Sequence, residues 1–197
     1  SNAPMLAALL GGPASEIIDL GIARDDLAAI RDRIVAAADT DIIITTGGAS
    51  VGDHDLVKPA LEAAGATLDF WKVALRPGKP LMAGQLGTSV VLGLPGNPVS
   101  AFVTALLFAR PLIAAFSGSA ACVAPLIPAP LAAPLNANSG ARVQFLRGHW
   151  VDGGVAPLDD QDSAGLTALA EATLLIRRAA DAPVVAAGDM VEILAIA

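Results

Sequence analysis

Gly93-Leu94-Pro95-Gly96-Asn97-Pro98-Val99-Ser100 stops a strand, exposes backbone amides and starts a helix within eight residues. The run just before it, Ser89-Val90-Val91-Leu92, is β-branched and apolar, as a buried strand requires. Asn97 suits an N-cap, and Pro98 suits the first helical position, where a missing N–H costs nothing. The free amides and positive dipole end of a helix over 98–109 therefore face the turn. A negatively charged ligand belongs there. Taken alone the stretch reads equally well as an ordinary tight turn, since glycine and proline punctuate many turns.

A second loop of the same kind tips the balance. Asp41-Ile42-Ile43-Ile44-Thr45-Thr46 reads as a buried strand, and Gly47-Gly48-Ala49-Ser50-Val51-Gly52 follows it ahead of a helix over 56–64. The glycines let backbone approach a ligand closely and take φ > 0, while Ser50 adds a hydroxyl. The spacing fits neither the dinucleotide nor the P-loop fingerprint, so no nucleotide follows from it. Between the loops, Arg76-Pro77-Gly78-Lys79-Pro80 sets two cations on a proline-bracketed bend, placed to serve both.

The pattern predicts a helix over 4–10, a strand over 16–20 and a helix capped by Asp25 or Asp26 with Leu27, Ile30, Ile34 and Val35 inward. Strands follow over 41–46 and 68–73, then a hairpin of 80–83 and 89–92 around Gly84-Gln85-Leu86-Gly87. Alternating strands and helices predict a three-layer α/β/α unit with a mostly parallel sheet, its ligands at the strands' carboxyl ends. Pro125, Pro128, Pro130 and Pro134 mark a linker. Short strands over 142–150, 154–157, 174–177 and 190–195, with a helical turn over 166–172, predict a small all-β C-terminal domain, barrel or sandwich. Residues 4–118 and 119–197 are the expected domains, and Ser1-Asn2-Ala3 reads as a cloning scar.

Composition narrows the function. The 197 residues carry a net charge of −7, which argues against nucleic acid because no basic stripe exists to neutralise phosphates. The apolar run 101–116 is interrupted by Arg110-Pro111 and is too short for a bilayer. No signal peptide is evident, and the expected location is cytoplasmic. Cys122 is the sole cysteine and reads as a buried or linker thiol. His54 and His149 read as solvated or structural.

Thr46-Gly47-Gly48-Ala49-Ser50-Val51-Gly52 with Asp55, Arg76-Pro77-Gly78-Lys79-Pro80, and Gly93 to Ser100, in that order, resemble the molybdopterin molybdenumtransferase family, known as MoeA and related to the gephyrin E domain. Arg142-Val143-Gln144-Phe145-Leu146-Arg147 and Gln161-Asp162-Ser163 to Ala172 resemble that family's small C-terminal β domain. The resemblance implies a MogA-like, molybdopterin-binding α/β domain lacking its first strand, which in relatives carries Thr-Gly-Asp-Glu, and a truncated enzyme inactive alone. The implied reaction takes adenylylated molybdopterin and molybdate to molybdenum cofactor and AMP with Mg²⁺. Asp25 and Asp55 are the implied metal ligands and, with Lys72 and Arg76, the implied catalytic residues. Thr46, Gly47, Gly48, Ser50, Gly52, Lys79, Pro95, Gly96, Asn97, Ser100, Arg142 and Ser163 are the implied binding residues. Asp162 stands where the family has glycine, and Arg76 where lysine is common. The resemblance also implies a homodimer in the full-length family and molybdopterin adenylyltransferase as a partner. A molybdopterin adenylyltransferase or CinA-like protein would share the sheet without the β domain, and a gephyrin-like scaffold would share both.

Overall fold

The computed structural model describes residues 2–13, 15–48, 55–120 and 122–196. It forms two compact units: Ser1–Val73 with Gly78–Cys122, and Ala74–Pro77 with Val123–Ala197.

The first unit runs α1 (Asn2–Leu10), α2 (Leu27–Ala36), β1 (Ile42–Thr46), α3 (Val57–Ala63) and β2 (Thr67–Trp71). After β3 (Leu75–Arg76), which pairs in the second unit, come β4 (Met82–Leu86), β5 (Ser89–Leu94) and a continuous helix. That helix is α4 (Pro98–Thr104), a π turn (Ala105–Ala109) and α5 (Arg110–Phe116). The sheet order is β1-β5-β4-β2. The β1–β5 pairing is parallel and the other two are antiparallel, so the expected parallel character is confined to the pair that leads into the glycine loops.

Alternation along the strands sends side chains to two cores. Ile43 and Val91 pack with Ile34, Ala37, Ala60 and Leu61 under α2 and α3. Leu92 and Leu94 pack with Leu6, Leu10, Ala105 and Ala109 under α1 and the long helix. This is the three-layer α/β/α arrangement that the sequence suggests.

Four local expectations change. Residues 16–20 form no strand: the bridge Gly12↔Ser15 lies just before them, and Ile18 stays 61% exposed. On α2 the inward side is Ile30, Ile34 and Ala37, whereas Leu27 and Val35 are exposed. Gly84 lies within β4, because a Cβ there would sit 2.2 Å from the Thr67 carbonyl oxygen, and the turn is Gly87-Thr88. Arg110-Pro111 does not interrupt the helix. Arg110 N–H reaches back to Ala105 in the wider π turn, and the resulting shift of register makes room for the proline ring. The 19-residue helix Pro98–Phe116 is therefore long and apolar enough to cross a membrane by length and composition, yet it is a core helix, half buried against the sheet.

The second unit contains β3, β6 (Ile127–Pro130), β7 (Val143–Val151), β8 (Gly154–Pro157), α6 (Leu166–Glu171), β9 (Leu174–Arg178) and β10 (Met190–Ala195). Six strands run β3-β7-β9-β10-β6, with β8 on β7, and the bridge Leu131↔Val155 closes the sheet on itself. Pro128 and Pro130 are tolerated because β6 pairs with β10 on one side only. Ala129, Leu131, Val155, Leu174, Ile176, Val191 and Ile193 fill the interior.

Closure needs a close approach at Gly154, where φ is +144° and a Cβ would lie 2.0 Å from the Pro130 carbonyl oxygen. Gly154→Ala should lower the unfolding free energy by about 1–3 kcal/mol in urea titration. A neutral effect would mean the closure is loose.

Candidate functional site

Parallel pairing brings the two glycine loops together. Register Thr46↔Leu94 ends β1 and β5 at the same level, and Gly47 N–H donates to the Leu94 carbonyl at 3.3 Å. Thr46 Oγ1 donates to the Pro95 carbonyl at 3.2 Å, and a Cβ on Gly96 would stand 3.4 Å from Gly47 Cα. The loops therefore touch backbone to backbone, with φ of +86° at Gly47 and +67° at Gly48. Ser50 and Gly52 lie outside the described residues, as does His54.

Asn97 occupies the N-cap position in an extended conformation, but its side chain makes no capping bond, contrary to expectation. The first intrahelical bond is Ala101 N–H to Asn97 at 2.9 Å, so the amides of Val99 and Ser100 precede the helical ladder. Pro95 and Ser100 are buried, whereas Thr46, Gly96 and Asn97 are exposed.

Asn2 ties the loops from below. Its amide donates to Thr46 Oγ1 and to the Gly96 carbonyl, both at 2.8 Å, and it opens α1. Asn2 thus packs as part of this unit.

Two cations reach the same sheet edge. Trp71↔Met82 and Met82↔Gly93 continue the row that crosses from β5. Just beyond it, Lys72 N–H donates to Leu81 and Val73 N–H to Lys79, both at 3.0 Å. Three strand spacings separate β1 from β2, or roughly 14 Å. Lys72 holds φ +130°, a conformation that costs a non-glycine residue energy and marks a constrained position.

Asp55 lies at the entrance to α3, where its Oδ1 accepts from Val57 N–H at 3.2 Å and would face a Gly48 Cβ at 3.3 Å. Asp25 is exposed on the bend before α2, whereas Asp26 caps α2 by accepting from Ala29 N–H at 2.9 Å. Among the described residues, no three His, Cys, Asp or Glu side chains gather as a metal site. An open cavity of about 460 Å³ lies against α2, lined by Arg24, Ala29, Asp32, Arg33 and Ala36, and none of these is a nominated residue.

The other nominated cations belong to the second unit. Arg76 leaves the bend it shares with Lys79 and pairs with Gln144, two residues from Arg142. Both arginines are exposed, and the Arg142 carbonyl accepts from Asn138 Nδ2 at 2.9 Å. Ser163 sits on a loop anchored at Arg147, further along β7. The separation of Arg76 from Lys79 was invisible in sequence, because β3 is only two residues long. Asn2 and the buried Arg147 were also missed.

Two converging glycine loops end the parallel pair of an α/β unit, and a small β barrel follows in the chain. A family model described as "Probable molybdopterin binding domain" matches residues 1–115, and another, "MoeA C-terminal region (domain IV)", matches 128–196. The chain belongs to this molybdopterin-binding, MoeA-type family. It is 46% identical over 104 residues to molybdopterin molybdenumtransferase of Haemophilus influenzae, covering 52% of this chain and 26% of that protein. It is 38% identical over 155 residues to molybdopterin molybdenumtransferase 2 of Mycobacterium tuberculosis, covering 75% and 38%. A solved molybdopterin biosynthesis moeA protein of Pyrococcus horikosii superposes with a TM-score of 0.73 at 25% identity, covering 90% of this chain and 43% of that one. The chain thus spans well under half the length of these relatives.

Asn2→Ala removes both bridging bonds. Each exposed bond contributes about 0.5–1.5 kcal/mol, so stability in urea should fall by roughly that much or somewhat more. Unchanged stability would mean that the two bonds do not hold the loops.

Proposed function

We propose that this chain carries the pterin- and oxyanion-binding part of molybdenum insertion, the step that takes adenylylated molybdopterin and molybdate to molybdenum cofactor and AMP. The observation that carries this reading is the backbone contact of the two loops at one end of the parallel pair. Gly47 N–H and the Thr46 hydroxyl, already bonded to Leu94 and Pro95, hold the two loops together, while the amides of Gly48, Val99 and Ser100 receive an anionic phosphate. Lys72 and Lys79 add point charges beside it. In the second unit Arg76 and Arg142 offer planar forks suited to a tetrahedral oxyanion, with Ser163 as a hydroxyl donor. The protein's contribution is position and charge, and no proton transfer is assigned to it.

Magnesium belongs to the same proposal. Asp55, with Asp25, would lend it carboxylate oxygens, the donors a hard cation takes. That assignment rests on the family resemblance, since the described residues form no cluster of three such side chains. Because the strand that carries Thr-Gly-Asp-Glu in relatives does not occur in this sequence, we expect the isolated chain to bind ligand weakly and not to complete insertion. A homodimer and a molybdopterin adenylyltransferase partner complete the reading.

Gly96 offers a sharper probe than Gly48, where any Cβ would collide with Val57 Cγ2 at 2.4 Å and disturb α3 as well. Gly96→Val should preserve the fold and weaken binding of AMP or adenylylated molybdopterin by at least about tenfold in calorimetry, since side-chain bulk keeps phosphate from the amides. Unchanged affinity would sink the assignment.

In a form of the enzyme that turns over, Asp55→Ala should reduce cofactor formed per minute more than pterin affinity. Equal loss in both would mean that Asp55 only holds the loop, and no loss in either would place it outside the site.

A further inference from the structure

Arg147 lies near the middle of β7 and is 1% exposed, yet it carries a guanidinium. Its partners all belong to one short loop. Nη1 donates to the Gly165 carbonyl at 3.0 Å and Nη2 to the Asp160 carbonyl at 2.8 Å, with Asp160 Oδ1 at 3.9 Å. Its main chain is engaged by the same loop. Arg147 N–H donates to Gln161 Oε1 at 3.0 Å, and its carbonyl accepts from Gln161 Nε2 at 2.9 Å and from Leu158 N–H at 2.8 Å. Residues 158, 160, 161 and 165 are thus all fastened to a single residue.

What remains between the fastenings is an arch, Asp162-Ser163-Ala164. Asp162 N–H donates to Asp160 Oδ1 at 2.7 Å, Ala164 N–H to Asp162 Oδ1 at 3.1 Å, and Gly165 N–H to the Asp162 carbonyl at 3.1 Å. A Cβ at Gly165 would come within 2.7 Å of Asp160 Oδ2, so a side chain there would make the Asp160 carboxylate shift. Ser163 stands at the crown. Burial pushes the Arg147 guanidinium below its ordinary pKa while Asp160 and Asp162 push it back up, and a buried guanidinium bound mainly to carbonyls is an expensive way to hold a loop whose shape does not matter.

We propose that Arg147 is a positioning residue: it fixes the arch so that the Ser163 hydroxyl meets the oxyanion in one place. This rests on the reading of Ser163 as an oxyanion contact. Arg147 itself touches no ligand. Lysine cannot replace it, because one ammonium on a flexible stem does not span two carbonyls on opposite sides of an arch.

The test uses the 197-residue chain and inorganic molybdate as the probe, with Arg147→Met, Gln161→Ala, Ser163→Ala and the double variant Arg147→Met/Ser163→Ala. Amide hydrogen exchange over 160–165 should accelerate by about tenfold or more in Arg147→Met and in Gln161→Ala, with β9 and β10 unchanged. Molybdate affinity should fall by roughly tenfold in each single variant, and the double variant should bind no worse than Arg147→Met, the non-additivity expected when one residue acts through another. Losses that multiply would overturn the proposal by making Arg147 an independent contributor, and so would unchanged exchange in the arch. If Arg147→Met does not fold, Gln161→Ala decides, since it loosens the arch while keeping the guanidinium. Molybdate binding that is absent from the parent chain, or untouched by Ser163→Ala, would remove Ser163 as an oxyanion contact and the proposal with it. Exchange over 160–165 would still report separately whether Arg147 clamps the arch.

Discussion

The parallel pairing of β1 with β5 is the constraint on which the rest of the first unit depends. Two parallel neighbours must end at the same sheet edge, so the segments leaving them, Gly47-Gly48 and Pro95-Gly96-Asn97, are forced together. An antiparallel partner would have sent the second loop to the opposite edge. The register is held because both faces of the pair are buried: Ile43 and Val91 lie in one core, Leu92 and Leu94 in the other. A slip by one residue would exchange the two sets and expose neither loop correctly. The hairpin of β4 and β5 then reverses direction, so the entry to β4 and the exit of β2 reach that same edge with Lys79 and Lys72.

Between those lysines the chain makes a short detour. Ala74–Pro77 pairs with β7 and so belongs to the second unit, with Val143 N–H donating to the Ala74 carbonyl at 2.9 Å. Chain continuity therefore holds both lysines where the detour leaves and returns. The positive φ of Lys72 fits this arrangement, since the backbone must turn out of the ladder there while its N–H still bonds to Leu81. Glycine would take that conformation without strain, but it would bring no charge.

The loops and their order were legible because glycine and proline act locally, and a strand followed by Gly-Gly or Pro-Gly-Asn-Pro means much the same in any context. Four of the second unit's six strands were equally readable, with Gly154–Pro157 and Met190–Ala195 matching the expected bounds, whereas β6 (Ile127–Pro130) was hidden in what reads as a proline linker and β3 in the Arg76–Pro80 bend. Glu16-Ile17-Ile18-Asp19-Leu20 misled because β propensity describes a fit to neighbours, and no ladder partner lies beside it among the described residues. The inward side of α2 shifted because the core below it accepts Ala37 in place of Val35. Arg147 was beyond reach for another reason: in sequence it is one more arginine in an alternating strand, and only the path of the loop over 158–165 makes it a clamp.

On the proposed reading, a chain with a net charge of −7 would attract anionic ligands against its own field, so the positive potential would have to be local. The sequence contains three lysines, and two of them, Lys72 and Lys79, stand at the loop edge. The remaining donors there are backbone amides, which add no net charge and cannot be neutralised by pH. Such donors lose little to the distant acidic residues, because charges farther apart than a Debye length, about 8 Å at physiological salt, are largely screened at an exposed surface. Short-range donors on a rigid sheet edge therefore decide what binds. The acidic surface elsewhere weakens general association with polyanions, which would need a continuous basic stripe that this chain does not have.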